Sequence, residues 1–156
     1  IGDSRTIFVR EIETVRISYD HKATDKSEKD RVIKDGGLII KGRFYGTLAI
    51  TRALGDFSFK NDVEGFSIVP YISRNVIGPI DKYIIIGSDG VWDVINEEKA
   101  NSLVKESKEI SAQFIAELFV EKSIEYGSKD NISCIALKLN NWYNNIDILN
   151  SYFLYK

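Results

Sequence analysis

The run Tyr83-Ile84-Ile85-Ile86, closed by Gly87-Ser88-Asp89-Gly90, limits the folds open to this chain more than any other stretch. Four apolar residues of strand-forming type, bounded by turn residues, read as a strand buried on both faces. Such a strand needs a layer of structure on each side. Its end is unusual, because Asp89 follows it directly, Gly90 turns the chain, and Asp93 returns four residues later beside Trp92. Two carboxylates at the mouth of so apolar a strand require a cause.

A chain of 156 residues, 44% apolar and 28% charged, is long and apolar enough for one domain with its own core. Its net charge of −2 supplies no cationic excess for phosphate backbones, so a nucleic-acid partner is not expected. No apolar run is long enough to span a bilayer and no signal-peptide pattern opens the chain, so no membrane partner is expected. The single cysteine, Cys134, leaves no internal disulfide and fits a reducing compartment, cytoplasmic or nuclear. The sequence holds no methionine. The expectation is therefore a chain that stands without its true start.

Residues 6–19 alternate apolar and polar, which predicts two strands joined near Arg10-Glu11-Ile12. Asp25 with Glu28 three residues on forms a capping box for a short helix that Gly36 ends. Gly37 to Tyr45 predicts a hairpin turning at Gly42 and Gly46, residues 46–60 fit a strand or a short helix, and 65–77 predict a strand interrupted by Pro70. Asn96 caps a helix over 97–107 that buries Ala100, Leu103 and Val104. Ser111 caps a second, with Ile115, Leu118, Phe119 and Tyr126 on one side and Gly127 as its stop. Residues 131–139 form a last strand, and 140–156, rich in Asn and aromatics, form a C-terminal extension. The order, mostly strands with inserted helices, indicates an α+β fold.

Four aspartates share one setting at the end or start of an apolar strand: Asp3, Asp89, Asp93 and Asp130. Each has Gly, Ser or Asn close by in the chain, where the backbone turns sharply. Taken singly, each is explained by turn chemistry. Converging, they would repel and raise one another's pKa, and a hard divalent cation such as Mg²⁺ or Mn²⁺ relieves that repulsion. Both explanations stand at this level.

Other hydrolytic chemistries fail on composition. A cysteine-dependent phosphatase places an Arg about six residues after its Cys, but Asn140 stands there and Cys134 lies within a strand. An aspartyl nucleophile two residues before Asp89 is excluded by Gly87, and Val91 breaks an EF-hand loop. Histidine-built zinc hydrolysis is excluded because His21 is the sole histidine.

The chain resembles the type 2C metal-dependent protein serine/threonine phosphatases from residue 1 to about 139. The motifs that carry the resemblance occur in the family's order: "GDSR" (2–5), "DHK" (20–22), "E..RV...GG" (28–37), "LAITRALGDFSFK" (48–60), "GSDGVWDV" (87–94) and "SKDNIS" (128–133). The resemblance implies two antiparallel sheets packed as a sandwich and flanked by helices, with 1–139 as the C-terminal portion of the catalytic domain. It implies that Asp89 and Asp130 bind metal, that Asp3 and Asp93 hold a further, weaker ion with Asp89, and that residues about 21–47 form a flap beside the site. Arg52, Gly55 and Asp56 fall in a motif expected to serve as scaffold. His21 occupies a position that is not the family's catalytic histidine, so a structural, hydrogen-bonded role is expected.

The family's earlier half is not in the sequence. That half supplies the phosphate-binding Arg, an Asp-Gly-His-Gly-Gly motif whose Asp bridges two Mg²⁺ or Mn²⁺ ions, and the nearby catalytic histidine. The parent would hydrolyse phosphoserine and phosphothreonine in phosphoprotein substrates, and this chain alone is expected to be inactive. Its nearest partner would be the N-terminal half of the same domain. The alternative is a non-catalytic phosphatase-like module that binds a kinase or another regulator.

Overall fold

The computed structural model describes residues 1–107, 111–139 and 152–155. In chain order the elements are β1 (Arg5–Arg10), β2 (Thr14–Arg16), α1 (Lys26–Lys34), β3 (Ile39–Ile40), β4 (Arg43–Phe44), α2 (Phe57–Asp62), β5 (Asp81–Gly87), α3 (Asp89–Trp92), α4 (Glu97–Glu106), α5 (Ala112–Glu125), β6 (Ser133–Lys138) and β7 (Tyr152–Tyr155). The architecture is α+β with antiparallel sheets. Two compact units divide it: Ile1–Asp3 with Tyr19–Ile72, and Ser4–Ser18 with Ser73–Lys156. No helix among the described residues is long and apolar enough to cross a membrane.

The second unit is built on a five-stranded sheet of order β2-β1-β5-β6-β7. Its register runs from Arg5↔Gly87 to Arg10↔Asp81 between β1 and β5, with a bulge between Val9 and Arg10. Between β5 and β6 it runs from Tyr83↔Lys138 to Gly87↔Cys134. One face carries Ile7, Val9, Tyr83, Ile85, Cys134 and Ala136 into a core shared with Ala100, Leu103, Ile115 and Phe119 of the helices. Both helices start where a side chain accepts an orphan N–H: Asn96 from Lys99 N at 2.9 Å, and Ser111 from Phe114 N at 3.1 Å.

Three expectations are corrected in this unit. The β5 strand is not buried on both faces, since Tyr83 and Ile85 are covered while Ile84 and Ile86 are half-buried. A run of uniformly apolar residues hides the two-residue period that the pleat imposes. Val104 is only half-buried and Tyr126 is 40% exposed at the end of α5, where Lys99 Nζ lies 4.8 Å from its ring centre. Within 140–156, Tyr152–Tyr155 pairs with β6 as an edge strand, while 140–151 and 156 lie outside the described residues.

The first unit is held by a small apolar cluster, Ala23, Val32 and Phe44 with Phe59 and Phe66 against it, and by one buried carboxylate. Asp25 caps α1 as expected, accepting from Ser27 N and Glu28 N at 2.9 and 3.1 Å. Glu28 does not complete the capping box. It is 2% exposed and accepts instead from Thr51 Oγ1 at 2.5 Å, Arg31 and both nitrogens of the Arg52 fork that face it. Burial alone would raise its pKa, but the bonds from Arg52, Thr51 and Arg31 bring it down to about 2. The strand predicted over 65–77 is absent; only Ser67 forms a bridge, with Arg52. Ile68, Val69, Tyr71, Ile72 and Val76 are exposed along it. The strand-forming residues are present, but the described chain offers them no neighbouring strand.

His21 is buried at 1% exposure, and its Nδ1–H donates to Gly2 O at 3.0 Å. Burial lowers its pKa, and its Nε2 has no hydrogen-bond partner among the described residues. It is a neutral structural side chain, as expected.

The Glu28 ionisation ties this unit to pH. A carboxyl of ordinary pKa 4.5 held at about 2 contributes stability that is present above pH 4.5 and lost as pH falls toward 2. Removing Arg52 leaves that carboxylate buried with fewer donors. Arg52→Ala should cost about 3–5 kcal/mol and move the acid loss to higher pH. Urea unfolding followed between pH 2 and 7 measures both.

Candidate metal centre

The site is assembled from the turn that leaves β5 and the loop that enters β6. Because those strands are antiparallel neighbours, the end of one lies beside the start of the other. Ser88 knots the two together. Its N–H donates to Ser133 O at 3.0 Å, its hydroxyl donates to Asn131 O at 3.1 Å, and the same hydroxyl accepts from Ser133 N at 3.1 Å. Ser128 adds a bond from its hydroxyl to Gly90 O at 2.7 Å. Asp89 and Asp130 each adjoin a residue of this knot.

Two glycines permit the approach. A Cβ on Gly90 would collide with Asn131 O, so only glycine lets the Asp89 turn lie on the Asp130 loop. A Cβ on Gly87 would stand 2.7 Å from Trp92 Nε1. That indole N–H donates to Gly87 O at 2.8 Å and Arg5 O at 3.1 Å, tying the end of β5 to the start of β1. Trp92 is 5% exposed, packed edge-on against Phe119 and beneath the Arg5 guanidinium. The turn of α3 that carries Asp89 is therefore fixed on three sides.

The carboxylates themselves are lightly engaged. Asp89 turns one oxygen to Gly90 N at 2.9 Å and Asp130 turns one to Asn131 N at 2.7 Å. None of the described residues donates to the second oxygen of either. Asp93 lies one helical turn from Asp89, and its N–H donates to Asp89 O at 2.8 Å, so the two acids share a face of that turn. Asp3 belongs to the first unit, where Lys22 Nζ lies 3.9 Å from its carboxylate. Among the described residues, no three His, Cys, Asp or Glu side chains gather into a ligand cluster. A free oxygen on each of two strand-end carboxylates is a hard donor set, which fits Mg²⁺ or Mn²⁺ as two ligands of a larger shell.

Sequence patterns found the aspartates, Gly90 and a local bonding role for Ser88, but missed Gly87, Ser128 and Asn131 as residues that position them. Their signal was present only as small or polar residues flanking two separate motifs. Cys134, one strand position away, is 1% exposed with its thiol pushed up to about 12 by burial, so it is no nucleophile.

Comparison with known proteins gives this geometry its context. The family model described as Protein phosphatase 2C matches residues 1–132. Protein phosphatase 2C homolog 1 of Saccharomyces cerevisiae is 39% identical over 139 residues, covering 89% of this chain and 48% of the relative. Among solved structures, a phosphatase from a pathogenic strain of Toxoplasma gondii matches at a TM-score of 0.79 and 25% identity, covering 100% of this chain and 50% of that one. A sex-determining protein of C. elegans matches at a TM-score of 0.76 and 30% identity, covering 86% and 34%. The chain thus spans about half the length, or less, of these relatives.

The seat of the turn is testable. Gly90→Ala should destabilise the protein by about 1–3 kcal/mol through overpacking against Asn131. Trp92→Phe should cost about as much by leaving two buried carbonyls without the indole donor. Urea denaturation midpoints of the two variants check this, and an unchanged midpoint for Gly90→Ala would mean that the two loops move apart freely.

Proposed function

The chain belongs to the protein phosphatase 2C family, and on that premise we propose that it is the later portion of a metal-dependent protein serine/threonine phosphatase. The observation that carries this reading is the placement of Asp89 and Asp130 on the loops at two adjacent strand ends, each with one carboxylate oxygen uncommitted among the described residues. Asp89 and Asp130 would hold Mg²⁺ or Mn²⁺. Such ions, when bound, lower the pKa of water and polarise a phosphoryl oxygen. The chain's own contribution is a fixed backbone seat: β5, Trp92 and the Ser88 knot hold the turns that carry the carboxylates, which keeps reorganisation small during reaction. The family resemblance implies in-line attack by water on phosphoserine or phosphothreonine, without a phosphoenzyme. The family resemblance also assigns Asp93 and Asp3 to a further, weaker ion, and that assignment rests on the motifs alone.

The remaining ligands, the phosphate-binding Arg and the general acid would come from the family's earlier half. Two features of the fold support such a partner. Ile84, Ile86, Ile135 and Leu137 lie half-buried on the face of the sheet opposite the helices. Ile68, Val69 and Ile72 stand exposed on a segment that forms no strand pairing among the described residues. Apolar surface and unpaired strand-like backbone of this kind are what further strands would cover.

The alternative, a non-catalytic module that binds a kinase or other regulator, is favoured by the lack of a three-ligand cluster among the described residues. A test of Mn²⁺-dependent hydrolysis of a phosphothreonine peptide separates the two. The full-length protein should turn over, and Asp89→Asn or Asp130→Asn should lower the rate by about 100-fold or more, since even partners of metal ligands matter 10–100-fold. The 156-residue chain alone should show no rate above its own Asp89→Asn variant. Full-length protein without Mn²⁺-dependent turnover would favour the binding module.

A further inference from the structure

The end of the sheet remote from Asp89 and Asp130 holds a recess of about 260 Å³. It lies where β1 ends, β5 begins and β6 ends, and the last turn of α4 closes it. Every lining residue belongs to the second unit. Among the described residues, four cations line it, Arg10, Lys82, Lys105 and Lys138, against one anion, Glu11. Its apolar wall is made by Tyr83 and Val104, beside Val9.

The cations are not equivalent. Lys82 stands 3.8 Å from Glu11, and both are well exposed. Arg10 is built in: the bulge between Val9 and Arg10 re-aims its side chain, its Nε donates to buried Asp81 at 2.8 Å, and a terminal nitrogen donates to Glu13 at 3.1 Å. Asp81 and Glu13 fix the guanidinium without lining the recess. Lys105 reaches Ile12 O at 3.4 Å, and no described carboxylate pairs with Lys105 or Lys138. Ser107 gives its hydroxyl to Val104 O at 2.7 Å, so it brings no free donor. Among the described residues the balance is two ammonium groups without a carboxylate partner and one oriented guanidinium around an apolar wall.

We propose that this recess binds a small phosphate monoester, with the phosphate among Arg10, Lys105 and Lys138 and the apolar body against Tyr83 and Val104. A dianion matches two lysines that have no carboxylate partner among the described residues, and a guanidinium held through its Nε and one terminal nitrogen keeps further N–H groups for tetrahedral oxygens. The strand from Tyr83 to Asp89 spans roughly 20 Å at about 3.3 Å per residue, so a ligand this small does not reach the acidic end. It is an effector rather than a substrate. The assignment goes beyond the phosphatase reading and does not depend on it.

Calorimetric titration of the full-length protein with phenyl phosphate and with inorganic phosphate, in EDTA, tests it. Saturable one-site binding is expected, tighter for phenyl phosphate because of the apolar wall. Lys105→Gln with Lys138→Gln should weaken it about tenfold or more, and Asp89→Asn should leave it within about twofold. Both lysines are exposed, so the double variant should keep the parent's melting temperature, and Lys138→Gln alone provides a second, milder reading. No saturable binding, equal affinity for the two probes, or weakening by Asp89→Asn without weakening by the lysine variants would overturn the assignment.

Discussion

The Trp92 indole is the fastening on which the acidic end of the sheet depends. One N–H is shared between Gly87 O and Arg5 O, so a single side chain from the turn after β5 grips the ends of two strands. The grip works only because Gly87 has no side chain. Its ring then fills the space between the sheet and Phe119, and this apolar packing makes the polar bonds durable. Asp89 is three residues before Trp92 on the same short helix. Its position follows from the indole's seat, not from any bond of its own.

The first unit solves a different problem with different means. Its apolar cluster is small, and a carboxylate occupies the place where a larger core would continue. An isolated buried charge is expensive, and Glu28 is tolerated because Thr51, Arg31 and Arg52 together supply donors to both oxygens. Arg31 and Arg52 also donate to backbone carbonyls, Gly65 O and Val69 O, so the charge network holds the irregular segment 65–69 that no strand pairing holds. The "TRALGD" stretch thus acts as scaffold through Arg52. Its Asp56, in left-handed backbone at φ 49°, makes no capping bond to α2.

Local chemistry was legible from the sequence, and tertiary choice was not. Asp25, Asn96 and Ser111 were identifiable as caps because a cap needs only a short polar side chain before a helical pattern. Glu28 defeated the same logic: its spacing from Asp25 satisfies the capping box, but Arg52, distant in sequence, together with Arg31 outcompetes one backbone N–H. Residues 65–77 have strand composition, yet a strand exists only where a neighbour accepts its bonds. The four aspartates illustrate the same limit. Asp89 and Asp130 lie on adjoining loops because β5 and β6 pair, Asp93 follows from one helical turn, and Asp3 falls in the other unit. The cationic recess was invisible for the opposite reason, since its residues are scattered over four elements and form no motif.

The two ends of β5 supply the strongest internal control on how its acids should be read. Asp81 opens the strand and Asp89 follows its close, so both are carboxylates at the edge of the same apolar ladder. Asp81 is 4% exposed and has both oxygens occupied, one by Arg10 Nε at 2.8 Å and one by Gly78 N at 2.6 Å. That is what a structural acid requires, because a buried oxygen without a donor costs about 1–3 kcal/mol. Asp89 is half-exposed, gives one oxygen to the adjacent N–H and leaves the other open to whatever approaches from solvent. If turn chemistry alone placed an acid there, the Asx-type bond to Gly90 would account for one oxygen and nothing would explain the rigid seat beneath it. Trp92 and Ser88 hold the backbone around Asp89 in place while its carboxylate keeps one oxygen uncommitted. Asp130, in the loop that enters the neighbouring strand, likewise gives one oxygen to the adjacent N–H and leaves the other uncommitted.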